Sequence, residues 1–424
     1  HFCPSHLRLV HFLVICLMPF LGCLAAVGSL VVFGLRLGGN VAMAFRLPGI
    51  DADHMAVSLM GTASTPPLPI SCADSCSARA FLQVAIFGNF STLSELASSC
   101  DDGHALATRA LLHMGLRHND SAVQLKSMVS LRQHIAHLGT NDTDLASSCV
   151  SELLAALGAD SHLVGVNAAI ALGDLAIRFS EMGSSSLAMR CVSAMMDRGF
   201  PDAGADLRLL LIEVLSVVAL KTIYCECDTA SLCVSLLECW GLSEGASDAV
   251  RMRTVDALAK IAIGARDEEP SVLTAQSVAV LTQGALADER ASGHAIGLLG
   301  TVASSLRGPS ARHAATCVAA LSAQAMGDAI DDGDDALDVI GRVAIRMSSD
   351  AGVFAQCLSA LSASVHGGSR SRAVLAVRVL ASVAEGVAPK SRALASICVE
   401  VLRDAREHDD DVVRQLVGRT LGKF

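Results

Sequence analysis

The sequence predicts an all-α protein: a right-handed α-solenoid of about eight to nine two-helix repeats, with a period of about 41 residues. The main observation is a column of alanines that recur 39 to 43 residues apart. In most copies the alanine closes a pentad that reads apolar, small, variable, apolar, Ala. Apolar residues around it are spaced three and four apart, which is typical of one face of a helix. The alanines are Ala97, Ala136, Ala176, Ala219, Ala262, Ala303, Ala344 and Ala384.

Each repeat is predicted to contain two helices joined by a short polar turn. In the copy that ends at Ala176, the second helix is preceded by a helix over residues 145–157, which ends before Gly158. Asp160 or Ser161 stands where an N-cap is expected to accept hydrogen bonds from free backbone amides. The same N-cap arrangement is predicted ahead of later second helices at Asp206, Asp248, Asp288 and Asp411.

The composition favours a folded helical array over other classes of protein. Hydrophobic residues make up 52% of the 424 residues and charged residues 17%, which argues against extended disorder. Aromatic residues make up 3%, so small aliphatic side chains must fill the core. The formal net charge of −10 argues against a nucleic-acid-binding surface, which is expected to be basic.

Cysteines form a second column, in the first helix of each repeat, with Ser277 in the position of one intervening repeat. First helices of adjacent repeats stack about 10 Å apart, which is too far for neighbouring thiolates to share a metal at bonds of about 2.3 Å. We therefore predict buried, reduced thiols that act as small apolar side chains, as expected in the cytoplasm. The column consists of Cys149, Cys191, Cys233, Cys317, Cys357 and Cys398.

The segment 164–176, with the sequence Val-Gly-Val-Asn-Ala-Ala-Ile-Ala-Leu-Gly-Asp-Leu-Ala, is similar to the armadillo repeat signature. The stretch from Asp411 to Lys423 looks more like a HEAT repeat. Over residues 77–424 the chain therefore resembles the armadillo/HEAT superfamily of helical repeats. The 15 residues between Ala176 and Cys191 leave little room for the extra helix of an armadillo unit, which favours HEAT-like pairs.

The resemblance implies that second helices line a concave face and that partners bind along it. In armadillo nuclear-import adaptors the variable pentad position is asparagine, with a tryptophan one turn earlier. This chain has no asparagine at that position, which argues against that function. The predicted partner-binding residues, from this position and its neighbours one turn away, are His134, Asp174, Lys260, Thr301, Arg342, Arg346, Arg378, Ser382, Arg419 and Lys423.

Charge along this face changes sign along the chain. Its first half carries Glu95, Asp174 and Glu213, whereas its second half is mostly basic, partly offset by Asp256 and Asp338. One interpretation is a basic groove for an extended acidic or phosphorylated peptide, held by arginine side chains. The other is an ordinary solvated helix face.

Other clusters give weaker signals. Cys225, Cys227, Cys233 and Cys239 lack the paired C-x2-C spacing of zinc sites. The acidic segment 328–338 fails the calcium-loop pattern and is predicted to be an exposed turn between helices. His134 and its neighbour one turn on, His137, are predicted to lie on the surface.

Sequence motifs for catalysis are also missing. The chain contains no His-Glu dipeptide, no G-x-x-x-x-G-K-[ST] loop and no G-x-S-x-G elbow. We therefore expect a protein that is not an enzyme and that needs no cofactor or metal.

The N-terminal region, residues 1–54, differs from the rest, and a proline-containing linker is predicted at 55–76. Residues 9–35 contain no Asp, Glu, Lys or Arg, and the run is long enough to span a bilayer or to form a signal sequence. Two other interpretations stay open: an apolar helix packed on the solenoid, or non-native sequence upstream of a start at Met55 or Met60. Without an initial methionine, and with an unfinished pentad at Lys423, we expect a fragment of a longer solenoid.

The sequence therefore predicts a non-catalytic, cytoplasmic scaffold or adaptor for protein partners, which binds an extended peptide. Two alternatives remain. One is a membrane-anchored structural component, in which residues 9–35 make the only membrane contact. The other is a lyase built on HEAT-type repeats.

Overall fold

A computed structural model describes residues 34–37, 40–43, 107–109, 111–135, 143–159, 161–199, 204–225, 227–266, 272–327 and 330–424. The chain divides into two compact units, His1–Pro69 and Ile70–Phe424. We describe each unit by itself. Most of the apolar run 9–35 and all of the linker 55–76 lie outside the described residues.

The first unit contains a short antiparallel ribbon that the sequence did not predict. Strands β1 (Gly34–Leu37) and β2 (Asn40–Met43) pair in a register that places Gly34 opposite Met43 and Leu37 opposite Asn40. The intervening dipeptide in the sequence is Gly-Gly, which is typical of two-residue hairpin loops.

The second unit is helical throughout its described secondary structure, which confirms the all-α prediction for this part of the chain. Odd-numbered helices are the first of each pair and even-numbered helices the second. In chain order the helices are α1 (Leu111–Leu116, π-helical), α2 (Ser121–Ile135), α3 (Thr143–Leu157), α4 (His162–Glu181), α5 (Ser185–Gly199), α6 (Ala205–Thr222), α7 (Cys227–Leu236), α8 (Asp248–Gly264), α9 (Val272–Val280), α10 (Ser292–Ser305), α11 (Ala311–Met326), α12 (Ile330–Arg346), α13 (Ala351–Gly367), α14 (Arg370–Val387), α15 (Arg392–Asp404) and α16 (Asp411–Leu421).

Short irregular turns accompany several of these helices. Helices α7 and α9 run on into π-helical turns, Leu237–Gly241 and Leu281–Ala285. Two 3-10 turns, Gly308–Ser310 and Ala405–Glu407, precede α11 and follow α15.

The helices form two layers. Each described even helix packs against the next even helix, and each odd helix packs against the next odd helix, from α1 to α16. The two helices of a pair also contact one another, and in the pairs α7/α8 and α9/α10 this contact runs through the π-helical turn that follows the first helix. Contacts between sequence-distant residues therefore come almost entirely from neighbouring pairs.

The alanine column lies in the core between these layers. Within the described residues, its members from Ala176 to Ala384 are fully buried, whereas Ala97 and Ala136 lie outside the described ranges. The cysteine column is fully buried as well, and its thiols are free. Burial raises the pKa of Cys317 and Cys357 to about 12, so these thiols stay protonated at neutral pH. This confirms the prediction that the cysteine column is buried, and none of its thiols is paired in a disulfide.

The position of the N-cap is confirmed for Ser161 at α4, whereas the predicted caps of α6, α8, α10 and α16 are wrong by one or more residues. The cap of α8 is Ser247, which accepts a hydrogen bond from Val250 N, and Asp248 lies in the first turn. Likewise Asp410, not Asp411, caps α16. At α6 the cap is Gly204 and Asp206 lies in the first turn. An acidic residue is favourable both at the N-cap, where its side chain accepts a hydrogen bond from a free backbone amide, and in the first turn, where its charge interacts well with the helix dipole.

The remaining two caps are those of α10 and α4. Asp288 precedes the cap of α10, which is Ala291, and Ser161 occupies the cap of α4 without a side-chain hydrogen bond to the helix. Asp160, the alternative cap of α4, lies outside the described residues.

The acidic segment 328–338 is also not the exposed turn that we predicted. From Ile330 onward it is helical and forms the first turns of α12. Acidic residues are favourable there because they face the positive end of the helix dipole. Residues 328 and 329 lie outside the described ranges.

Candidate functional site: the surface of the even helices

The predicted partner-binding residues lie on even helices, or directly after the last one, but they are not equally accessible. His134 is an exception, because its 4% exposed surface places it in the interior, which corrects its predicted surface position. Its neighbour His137 lies outside the described residues. Asp174 and Lys260 are half-buried. The others are exposed: Thr301, Arg342, Arg346, Arg378, Ser382, Arg419 and Lys423.

Small residues in the pentads set the close packing of these helices. A Cβ added to Gly173 of α4 would lie 2.6 Å from Val214 Cγ1 and 3.6 Å from Val218 Cγ2 of α6. Gly300 of α10 and Gly341 of α12 meet Val339 and Val379 of the following even helix in the same way. These contacts of the small pentad residue therefore place corresponding residues of successive even helices at the same level along the helix axes.

Charges on the first even helices neutralise one another across helix boundaries. Arg132 Nε donates a hydrogen bond to Asp174 Oδ2 at 2.8 Å, which joins α2 to α4. Glu213 of α6 pairs with Lys260 at 3.4 Å and with Arg253 at 3.1 Å, both on α8. Asp174 and Lys260, which we predicted as partner contacts, are thus already engaged within the protein.

A similar pair joins α8 to α10. His294 Nε2 lies 2.8 Å from Asp256 Oδ1, and both side chains are about one third exposed. The hydrogen bond that His294 donates to the Asp256 carboxylate raises the pKa of His294, and the nearby negative charge adds to this effect against the opposing effect of burial.

The last even helices keep one such pair, between Arg370 of α14 and Asp410, the N-cap of α16, at 3.1 Å. Five further basic residues at these helices are different. Arg342 and Arg346 of α12, Arg378 of α14, and Arg419 and Lys423 at α16 are exposed, and none makes an ion pair with another residue in the described part of the chain. We call these five residues the basic column. The exposed acidic residues closest to it in sequence on the same helices are Asp338 and Glu385.

Sequence reasoning missed an apolar part of the same surface. Leu163 of α4, Val217 of α6 and Met252 of α8 expose between 42% and 48% of their surface. Val217 occupies the variable pentad position between Asp174 and Lys260, so it could have been noticed as an apolar member of that column. These exposed apolar residues lie on the first even helices, where acidic and basic side chains pair with one another.

Sequence reasoning also missed a buried ion pair at the edge of this surface. Arg251 of α8 is 5% exposed and pairs with Asp288, which precedes α10. Arg251 also donates hydrogen bonds to the carbonyl oxygens of Ser243 and Ala246, at 2.6 and 3.1 Å. The sequence pattern predicts a capping role for Asp288 and gives no sign of its ion pair with Arg251 in the preceding helix pair.

No group of three or more His, Cys, Asp or Glu side chains within the described residues is arranged to hold a metal ion. Cys225 and Cys239 are exposed and Cys233 is buried. The Cys227 side chain lies outside what the structure describes. One described helix, α4, is long and apolar enough to cross a membrane, and 61% of its apolar 18-residue window is buried inside the protein. That burial is typical of a core helix.

Comparisons with known proteins leave the family open. No protein-family model matches the chain, and no curated protein matches it. Among solved structures it is similar to a crystal structure described as an engineered protein, from the Northeast Structural Genomics Consortium. That match has 18% identity and covers 88% of this chain and 98% of the other, with a TM-score of 0.29. At this score the likeness does not bear on the fold.

Proposed function

We propose that the helical unit is a right-handed α-solenoid of armadillo/HEAT-like repeats, about eight to nine in number. We further propose that it is a non-catalytic scaffold that binds an extended acidic or phosphorylated peptide along the even helices. The two-layer contacts and the buried alanine column support the first proposal. The free, buried thiols favour a reducing compartment, and we therefore propose a cytoplasmic location.

The observation that carries the binding proposal is the contrast in charge pairing along the even layer. Upstream, acidic and basic side chains of successive even helices pair with one another. On α12, α14 and α16 the basic column has no such partners among the described residues. An acidic ligand would supply the missing negative charge.

The free energy of exposed ion pairs is too small for the charges of the basic column to give tight binding alone. Exposed ion pairs contribute about 0.2–1 kcal/mol each, so five would give at most about 5 kcal/mol, which corresponds to a dissociation constant of about 0.2 mM. A micromolar complex therefore needs apolar contacts as well. The exposed Val217 and Met252 on the upstream half of the surface can supply them.

The test measures peptide affinity by fluorescence anisotropy with full-length protein and labelled, degenerate acidic peptide pools. The triple variant Arg342→Glu, Arg378→Glu, Arg419→Glu reverses three charges of the basic column. The control variant Arg307→Glu, Arg392→Glu, Arg406→Glu makes the same change in net charge at exposed arginines outside the even helices.

We expect the first variant to lose at least about tenfold in affinity, equivalent to 1.4 kcal/mol, and the control to stay within about twofold. Binding should also weaken steeply with added salt. Equal affinities for the two variants would overturn the proposal, because overall charge would then explain the binding.

A further inference from the structure

Ser382 lies on α14, the middle one of three successive even helices that carry exposed basic side chains. It is exposed, it occupies the variable pentad position of α14, and its hydroxyl makes no hydrogen bond with the described residues. Arg378 lies one turn before it on the same helix, so the two side chains share a face.

The packing of α12 on α14 places Arg342 at the level of Ser382. An added Cβ at Gly341 would meet Val379 and would lie 3.7 Å from Val383 Cγ2, so Gly341 sits between these two valines. Arg342 follows Gly341, and Ser382 precedes Val383. The two exposed side chains are therefore neighbours across the boundary between α12 and α14.

Helix α16 lies on the opposite side of α14 from α12. It packs against α14, and Arg419 and Lys423 are four residues apart, as are Arg378 and Ser382. Arg419, on α16, and Lys423, which follows the end of α16, come 41 positions after their counterparts on α14, and 41 residues is the period of the repeat. The register thus places Arg419 beside Arg378, and Lys423 beside Ser382.

We infer that Ser382, Arg342, Arg378, Arg419 and Lys423 form a subsite for the phosphoryl group of a phosphorylated peptide, an inference that rests on the proposed peptide-binding function. A phosphoserine carries a charge of about −1.5 to −2 and has three strong acceptor oxygens. Guanidinium groups from three helices can approach different oxygens, and the Ser382 hydroxyl can donate another hydrogen bond.

A carboxylate fits this arrangement less well. It has two oxygens and a single charge, so one arginine fork can already satisfy it in a bidentate pair. The remaining arginines would then be left without partners. Asp338 and Glu385 reduce the local positive charge, but four basic residues around Ser382 still exceed them.

The experiment uses three degenerate peptide pools that differ in one fixed central residue: phosphoserine, glutamate or serine. Their affinities are compared for wild-type protein and for the double variant Arg342→Lys, Arg378→Lys, which keeps both charges but loses the guanidinium forks. The variant Arg307→Lys, Arg392→Lys is the matched control, and circular dichroism checks that each variant folds.

With wild-type protein, the phosphoserine pool should bind at least about tenfold more tightly than the glutamate pool, since it offers more charge and more acceptors. The double lysine variant should lose about tenfold for phosphoserine and less than about twofold for glutamate. The control should change neither value. Ser382→Ala should weaken phosphoserine binding about two- to tenfold, because one hydrogen bond is lost.

Two results would overturn the inference while leaving the proposed function intact. One is equal binding of the phosphoserine and glutamate pools, both still lost in the charge-reversal variant. The other is an equal effect of the lysine substitutions on both pools. If neither pool binds the wild-type protein, or if charge reversal changes nothing, the proposed function fails as well.

Discussion

Gly173 of α4 and Val214 of α6 pack so closely that a Cβ on the glycine would lie 2.6 Å from Val214 Cγ1. The two residues belong to successive helix pairs and are 41 positions apart. Gly300 with Val339, and Gly341 with Val379, repeat this relationship further along the chain. The small residue of the pentad is therefore the point at which one even helix packs most closely against the next even helix.

We expect Gly173→Val to destabilise the protein. Valine is stiff at χ1, and its neighbour Val214 is equally restricted, so neither side chain can move away cheaply. Overpacking of this kind costs about 1–3 kcal/mol. The midpoint of urea unfolding, followed by far-UV circular dichroism, measures the effect.

The control is Gly297→Ala on α10, where an added Cβ has no neighbour within 4 Å. There, the better helix propensity of alanine should raise stability by about 0.5–1 kcal/mol. A loss of stability at both sites would mean that helix-helix packing is not the cause.

How far the sequence could predict this fold depends on the range of each interaction. The alanine and cysteine columns were predictable because burial of small apolar residues repeats with the period of the helices. The pairing of Gly173 with Val214 could have been inferred from the small pentad position. The burial of His134 could not, because it depends on how neighbouring helices cover that side chain.

The candidate surface was predictable in part for a related reason. The exposed positions Arg342 and Arg378 follow from helical periodicity alone. The engagement of Asp174 by Arg132, and of Lys260 by Glu213, joins residues 42 and 47 positions apart. Which of several acidic and basic residues will meet across repeats depends on helix offsets, which the spacing of alanines does not give.

Ser277 occupies a cysteine position of the first-helix column, and its buried hydroxyl has no hydrogen-bond partner among the residues that the structure describes. We expect Ser277→Ala to stabilise the protein by about 1 kcal/mol, because an unsatisfied buried polar group costs about 1–3 kcal/mol. Differential scanning calorimetry would show this as a higher melting temperature.

Ser364→Ala is the matched control for this substitution. Ser364 is also buried within a helix, but its hydroxyl donates a hydrogen bond to the Ala360 carbonyl oxygen at 3.0 Å. Both substitutions change helix propensity equally, so the difference between them isolates the hydrogen bond. A gain at Ser364 as large as that at Ser277 would refute the explanation.

Arg251 and Asp288 form a buried ion pair between α8 and the segment before α10, with 7% and 14% of their side chains exposed. We expect Arg251→Met to cost about 3–5 kcal/mol, because it leaves the Asp288 charge buried without its partner. Urea unfolding gives the change in free energy.

Arg290→Met tests an exposed pair at the same junction. Arg290 lies 3.5 Å from Asp248, and both side chains are more than 60% exposed. Loss of such a pair should cost less than about 1 kcal/mol. Similar losses for the two variants would show that burial of the charge is not what matters.

His294 should make the junction between α8 and α10 sensitive to pH. Its pKa is raised in the folded protein, mainly by the hydrogen bond that it donates to the Asp256 carboxylate. The stabilisation is therefore fully present below the ordinary histidine pKa and is lost as pH rises through the folded value. We expect the wild-type melting temperature to fall relative to that of Asp256→Asn as pH increases from about 5.5 to about 8.5. A constant difference between the two proteins would contradict this.

The cysteine column should resist alkylation in the native state. Burial raises the pKa of Cys149, Cys317 and Cys357 to about 12, and that of Cys398 to about 11, so little thiolate forms at neutral pH. Full burial also blocks the reagent sterically. Exposed Cys225 and Cys239 lack this protection.

Pulse labelling with iodoacetamide, followed by peptide mass spectrometry, reports each site separately. Cys225 and Cys239 should be labelled within minutes, and the column should be labelled at the rate at which the surrounding helices open. Adding denaturant should make all of these sites react alike. If Cys317 or Cys357 reacts as fast as Cys239 in the native protein, the odd helices are not packed as described, and the two-layer arrangement fails at that repeat.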